Sequence, residues 1–156
     1  MREFTMPLSF AHIDTNPHPV PLDIPALASK LERLLPEALF GLLIGSTATM
    51  GVVRAYGDLD LAFFLSPGIT AGYDFQARIE QAVEPQTQGR VRVDVGLLNR
   101  ADPVYRFEAL KGRLLFCRDD EAYMSFFSSV SRDYETQMIH YARQRMYRLS
   151  RRPECR

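Results

Sequence analysis

Strands alternating with helices along one chain predict an α/β-type layered domain that closes with a long helix. Three observations carry that expectation. Four short runs, "LFGLLI", "DLDLAFFL", "RVRVDVGLL" and "RLLFC", are apolar or strictly alternating and have strand length. The segments between them place apolar residues at helical spacing, bounded by cap and stop signals. From Glu121 to about Arg151 a helical pattern runs without interruption. At 156 residues the chain has the size of one domain with a sizeable core.

The first helix is read in "LDIPALASKLERLLPEALF". Asp23 stands as N-cap, Pro25 falls in the first turn, Leu27, Leu31 and Leu34 form a stripe, and Pro36 stops it. "LFGLLI" follows as a buried strand, and "TATMG" suits one tight helical turn. "DLDLAFFL" is the next strand, ended by Pro67-Gly68. In "YDFQARIEQAVE", Phe75, Ile79 and Val83 mark a helix. "RVRVDVGLL" alternates as a strand should. Asp102 caps "ADPVYRFEALKG", with Pro103 in its first turn and Gly112 just beyond its end, so this is a short helix before the strand "RLLFC". Along the final helix Phe127, Val130, Tyr134, Met138, Tyr141 and Leu149 fall near one stripe. The aromatic series Tyr123, Phe126, Phe127, Tyr134, Tyr141 is therefore read mostly as core, and His140 as a packed or surface residue. Residues 1–22 read as an irregular lead-in, 23–150 as the domain, and 151–156 as a basic tail.

Composition bounds the function classes. Net charge is zero, which argues against nucleic acid as a direct ligand. From Arg132 onward, however, seven arginines stand against Asp133, Glu135 and Glu154: a solvated helix face with a basic end, or a partner or phosphate surface. No run of about 18 apolar residues is present to span a membrane. Glu3, His12 and Asp14 interrupt the amino terminus where a signal peptide needs an apolar stretch. Cys117 and Cys155 lie far apart and form no metal pattern with the histidines, so the expectation is two free thiols in a reducing cytoplasm.

The chemistry concentrates in "LFGLLIGSTATMGVVRAYGDLDLAFFL". Side chains two apart on a strand share a face, so Asp58 and Asp60 point the same way with Cα atoms about 6.5 Å apart. They repel, and the stretch that follows holds no Lys or Arg to offset them. Such carboxylates can bracket one Mg²⁺ or bridge two ions roughly 4 Å apart. In "RVRVDVGLL", Asp94 shares a face with Arg92 and Gly96, opposite Val91, Val93 and Val95, and offers a third carboxylate with space beside it at Gly96. After the first strand, Gly45 allows close approach to the backbone. The N–H groups there, with the hydroxyls of Ser46 and Thr47, make a place for anionic oxygens.

This order (strand, Gly-Ser, short turn, Asp-x-Asp on the next strand, a lone Asp on a later one) resembles the DNA polymerase β superfamily of nucleotidyltransferases. The segment "VDVGLLNRADPVYRFEALKGRLLFCRD" is similar, more narrowly, to the minimal nucleotidyltransferase (MNT) group, and the likeness covers residues 23 to about 150. It implies a small mixed β-sheet with covering helices. It further implies that Gly45, Ser46 and Thr47 bind the nucleotide, and that Asp58, Asp60 and Asp94 are catalytic and hold Mg²⁺, two ions in all. The activity implied is in-line attack of a hydroxyl on the α-phosphate of ATP, with Asp94 helping to deprotonate it. Three departures stand out. The usual loop Gly-Ser-x-Ala-Arg-Gly is "GSTATMG" here, with Thr49 and Met50 replacing Arg and Gly and Arg54 as a substitute cation. One extra residue separates Ser46 from Asp58, and Gly57 replaces a Ser.

MNT proteins of this size are typically antitoxins that transfer AMP from ATP to a tyrosine of a HEPN-domain toxin. A chain with almost no second domain must borrow its acceptor site from a partner, which favours that reading. Two alternatives stay open: nucleotidylation of a small molecule such as an aminoglycoside, and a non-enzymatic antitoxin acting by contact alone. Homo-oligomerisation is open as well, since a small-molecule pocket would need a dimer cleft or an added domain.

Overall fold

A computed structural model describes residues 18–150. The earlier part of the lead-in, with His12, and the tail 151–156, with Cys155, lie outside the described residues. The elements run β1 (Val20–Pro21), α1 (Ile24–Leu34), β2 (Ala38–Leu43), α2 (Gly45–Met50), β3 (Val52–Val53), β4 (Asp58–Leu65), α3 (Tyr73–Thr87), β5 (Arg92–Leu97), a 3₁₀ turn (Leu98–Arg100), α4 (Pro103–Leu110), β6 (Arg113–Cys117) and α5 (Asp120–Ser150).

Four strands form one mixed sheet in the order β5-β4-β2-β6. β2 is antiparallel to β4 and to β6, while β4 and β5 are parallel and joined through α3. The pleat of β4 explains the layering. Leu59, Leu61, Phe63 and Leu65 point into a core with Ile24, Leu27 and Leu31 of α1 and Phe75, Ile79 and Val83 of α3. Ala62 and Phe64 point the other way, into a core with Ala109 of α4 and Phe126 and Val130 of α5. Helices thus cover both faces, and the two central strands read as near-continuous apolar runs for that reason. At the end of β4, the Asn99 side chain donates to the Leu65 carbonyl (2.9 Å) and accepts from its N–H (2.8 Å), as a further strand residue would.

The caps act as expected. Asp23 accepts from the Ala26 N–H at 3.0 Å and Asp102 from the Val104 N–H at 2.8 Å. The third helix outlasts its sequence pattern, running through Pro85 to Thr87. Proline at 85 cannot donate to the Gln81 carbonyl. Lys30 Nζ of α1 donates to that carbonyl instead, at 3.1 Å, so the break costs the helix little. Gln86 in the same turn clamps Asp23, accepting from its N–H (2.8 Å) and donating to its carbonyl (3.1 Å).

Two expectations need correction. The lead-in is not irregular throughout: Val20–Pro21 pairs antiparallel with Val52–Val53, and Val20 is fully buried. The aromatic series of α5 is core only in part: Tyr123 packs against Phe40. Phe126 and Val130 are buried, and Tyr134 stacks on Phe107 of α4 with ring centroids 3.8 Å apart, but Phe127 and Tyr141 are exposed. The helix has 31 residues, about 46 Å at 1.5 Å per residue. The longest strand has eight, roughly 27 Å. The sheet ends before the helix does, and from Ile139 to Arg148 every residue is exposed, His140 included.

Phe40 lies at the centre of the α5-side core, with Phe64 stacked at 5.1 Å, Tyr123 edge-on at 5.0 Å and Phe126 at 5.3 Å. Phe40→Ala is expected to destabilise the fold by about 3–5 kcal/mol in urea titration, against roughly 0.5 kcal/mol or less for Phe127→Ala. Equal losses would mean that α5 packs through a different face.

Candidate active site

The parallel pairing of β4 and β5 brings the predicted acids together. Asp60 and Asp94 are direct register partners, and Asp58 is the partner of Arg92. Neighbouring strands lie about 4.8 Å apart and register partners share a face, so all three carboxylates stand on one side of the sheet. That side is the one α4 and α5 cover further along, since Ala62, two residues past Asp60, is buried in their core. At the acids the cover ends: Asp58 and Asp94 are exposed and Asp60 half-buried. Because β5 is an edge strand, Asp94 is left in solvent.

The antiparallel pairing of β2 and β4 delivers the glycine. Leu43 pairs with Leu61, and the Ile44 N–H then donates to the Asp60 carbonyl at 3.0 Å, so the chain turns out of β2 beside Asp60. Gly45 has φ +71°, and a Cβ there would lie 2.6 Å from Asp60 Oδ2. Both facts demand glycine. The following helix is a single short element, closed by Gly51 at φ +69° with its N–H on the Thr47 carbonyl at 2.9 Å. No side chain caps its start. Ser46 is exposed as expected, whereas Thr47 is buried on the inner side of α2. Its hydroxyl is therefore not offered alongside that of Ser46.

Two residues at the site escaped the sequence reading. Arg92 Nε donates to Asp58 Oδ1 at 2.9 Å, so Asp58 does have a cationic neighbour, supplied across the sheet rather than along the chain. Both side chains are largely solvated, and such a pair contributes little to stability. Tyr105 of α4 fills the space beside Gly96: a Cβ on Gly96 would lie 1.9 Å from the Tyr105 hydroxyl oxygen. Burial, then the charges of Asp94 and Asp60, push the phenol above its ordinary pKa. The only local signal for Tyr105 was Gly96 itself, since a strand glycine often marks a close approach.

Burial, followed by repulsion from Asp94 and Asp58, raises the Asp60 carboxyl above its ordinary value. Three hard oxygen donors that repel one another suit Mg²⁺ by chemistry. As placed, with Asp58 against Arg92, no three Asp, Glu, His or Cys side chains among the described residues converge on a metal position.

No protein-family model matches the chain. No curated protein sequence matches it either. Solved structures do resemble it. A chain from a toxin–antitoxin complex with AMP-PNP aligns with TM-score 0.58 and 19% identity, over 81% of this chain and 96% of that one. An MntA–HepT toxin–antitoxin complex gives 0.52 and 18%, over 78% and 93%. The complex of a tri-AMPylated Shewanella oneidensis HEPN toxin with its MNT antitoxin gives 0.52 and 19%, over 78% and 92%. At such identities the likeness is one of fold: the chain shares the mixed α/β fold of these toxin–antitoxin structures.

The raised Asp60 pKa has a definite sign in stability. Above about pH 4, the ordinary carboxylate value, the unfolded chain releases the Asp60 proton before the folded one does. Stability therefore falls as pH rises toward the folded pKa. Thermal melts in EDTA should show Asp60→Asn melting above the parent protein at pH 7, with the two curves converging toward pH 4. A parent curve lying above the variant at pH 7 would mean that Asp60 is stabilised, not crowded.

Proposed function

We propose that this chain, built on the fold of MNT antitoxins, is a Mg²⁺-dependent nucleotidyltransferase that moves AMP from ATP to a tyrosine hydroxyl of a HEPN-type toxin. The observation that carries the reading is the register pairing of Asp60 with Asp94, beside Gly45 and with Asp58 on the same face. Asp58, Asp60 and Asp94 would hold the metal. When bound, two Mg²⁺ ions supply positive charge to the attacking and leaving oxygens of an in-line displacement.

The chain's own groups then have separable roles. The N–H groups of Gly45 and Ser46, with the Ser46 hydroxyl, take oxygens of the triphosphate. Asp94, solvated on the edge strand, accepts the proton of the incoming hydroxyl. Were Asp58 to take part in holding a metal, Arg92 would lose its present partner. Its guanidinium would then be able to take phosphate oxygens, a task that Thr49 and Met50 in the loop cannot perform. Phosphoryl transfer of this kind depends on position and charge rather than on covalent help from the protein.

The acceptor assignment rests on the open setting of the acids and on the outer half of α5. There Ile139, Tyr141 and Met146 are exposed, as are Arg143, Arg145 and Arg148, so that the helix presents apolar and basic side chains around its whole girth, a surface suited to a protein partner. An AMPylated HEPN toxin in complex with a protein of the same fold supports the choice. Among the described residues no helix is long and apolar enough to cross a membrane, and a cytoplasmic site of action fits the free thiol of Cys117. The replaced loop residues and the Asp58–Arg92 pair favour one second reading, an antitoxin that acts by contact alone.

Incubating the purified chain with ATP, Mg²⁺ and its co-encoded helical partner should place AMP on a partner tyrosine, read by peptide mass analysis. Asp60→Asn and Asp94→Asn should each slow transfer by about 100-fold or more. Calorimetry showing no binding of millimolar ATP with Mg²⁺ would leave only the contact antitoxin. AMP found on an aminoglycoside, with the partner unmodified, would replace the acceptor and keep the chemistry.

A further inference from the structure

Across the sheet, the proposed site has a direction. Gly45 lies at the end of β2, Asp60 on β4 and Asp94 on β5, in that lateral order. In-line displacement puts the attacking oxygen and the leaving oxygen on opposite sides of phosphorus. With the triphosphate on the Gly45 loop, pyrophosphate departs on the β2 side and the nucleophile must enter from the β5 side. A hydroxyl of this same chain already stands there.

The Tyr105 phenol reaches β5 end-on. From a Cβ built on Gly96 the hydroxyl oxygen would be 1.9 Å away, Cζ 2.8 Å and Cε1 3.1 Å, so the oxygen leads and the ring follows. Gly96 is two residues from Asp94 and shares its face, about 6.5 Å along the strand. A tyrosine kept only for packing usually buries its ring and satisfies its hydroxyl. Tyr105 instead remains 36% exposed, and among the described residues no hydrogen bond engages its oxygen. Any side chain larger than glycine at position 96 would push it away from the acids.

We propose that Tyr105 is itself an acceptor, so that the chain adenylylates its own phenol in cis. The inference rests on the nucleotidyltransferase reading above. In the step, the Tyr105 hydroxyl oxygen bonds to the α-phosphorus of ATP as the bond from that phosphorus to the β-phosphate oxygen breaks. Pyrophosphate leaves with the bonding pair, and the phenolic proton passes to the Asp94 carboxylate and then to water. The product is a tyrosyl-AMP phosphodiester on α4, which occupies the side from which an external hydroxyl would enter.

The test uses the full-length chain with Mg²⁺ and ATP, first alone and then with the co-encoded helical partner, with intact-mass and peptide mapping of both proteins. One AMP per chain is expected, mapped to the Tyr105 peptide, with labelling per chain unchanged over a tenfold dilution. Tyr105→Phe should lose the label. Tyr56→Phe, which removes the phenol that precedes Asp58 in the chain, should keep it. AMP on any other residue, or a labelling rate that falls tenfold with dilution, overturns the cis assignment. AMP on the partner with Tyr105 unmodified overturns this inference and spares the enzyme. Absence of pyrophosphate release from ATP with either acceptor overturns both.

Discussion

Two like charges held opposite each other across a parallel strand pair are the constraint around which the rest of this structure is arranged. Directly opposed carboxylates destabilise a sheet, yet Asp60 and Asp94 are register partners. What holds them is downstream. From Leu59 to Leu65 the strand places Leu59, Leu61, Phe63 and Leu65 in one core and Ala62 in the other, all essentially buried. A slip of one residue would turn every one of those side chains to the wrong face. Hydrophobic burial along β4 thus fixes the register, and the register imposes the repulsion at its mouth. Such stored repulsion is relieved by a cation, which is why the site reads as functional rather than merely structural.

The parallel pairing depends in turn on α3, which carries the chain from the end of β4 back to the start of β5. Several polar contacts fasten that crossover to α1. Arg78 donates to the Leu34 carbonyl at 2.6 Å and forms a two-point pair with Glu37, and the hydrogen bond from Arg78 holds the Glu37 carboxyl below its ordinary pKa. Lys30 takes the carbonyl that Pro85 leaves open, and Gln86 clamps Asp23. Each contact joins the helix that precedes β2 to the helix that precedes β5. They tie the Gly45 side of the site to the Asp94 side through the back of the sheet.

On the other face, α4 and α5 do different work. Arg106 lies 4.8 Å from the Phe126 ring centroid, and Phe107 stacks on Tyr134, so α4 is fixed to the inner half of α5. That anchorage sets where Tyr105 stands relative to Gly96 and Asp94. The outer half of α5 contributes nothing to this core and leaves an apolar, arginine-rich surface free for contact. One helix therefore serves the interior with its first turns and the exterior with its last.

Much of the fold was legible because its signals are local. Asp23, Asp102 and Pro103 mark helix starts by chemistry that acts within one turn, and the strands 58–65 and 113–117 match their apolar runs to the residue. Spacing alone also put Asp58 and Asp60 on one face, and the order of Gly-Ser and the three acids pointed to a nucleotide site. The remainder needed partners distant in sequence. Helix α3 continues past Pro85 because Lys30 is there to take a carbonyl. Helix α5 exposes Phe127 on its outward side, next to the buried Phe126, and exposes Tyr141 because the sheet beneath it is too short. Thr47 turns inward because α2 has an inner side. Arg92 meets Asp58, and Tyr105 meets Gly96, only through the parallel register of β5 and the docking of α4. Periodicity and capping determine which residues share a face; only tertiary packing decides what that face meets, because the energies that choose the neighbour come from burial between segments far apart in the chain.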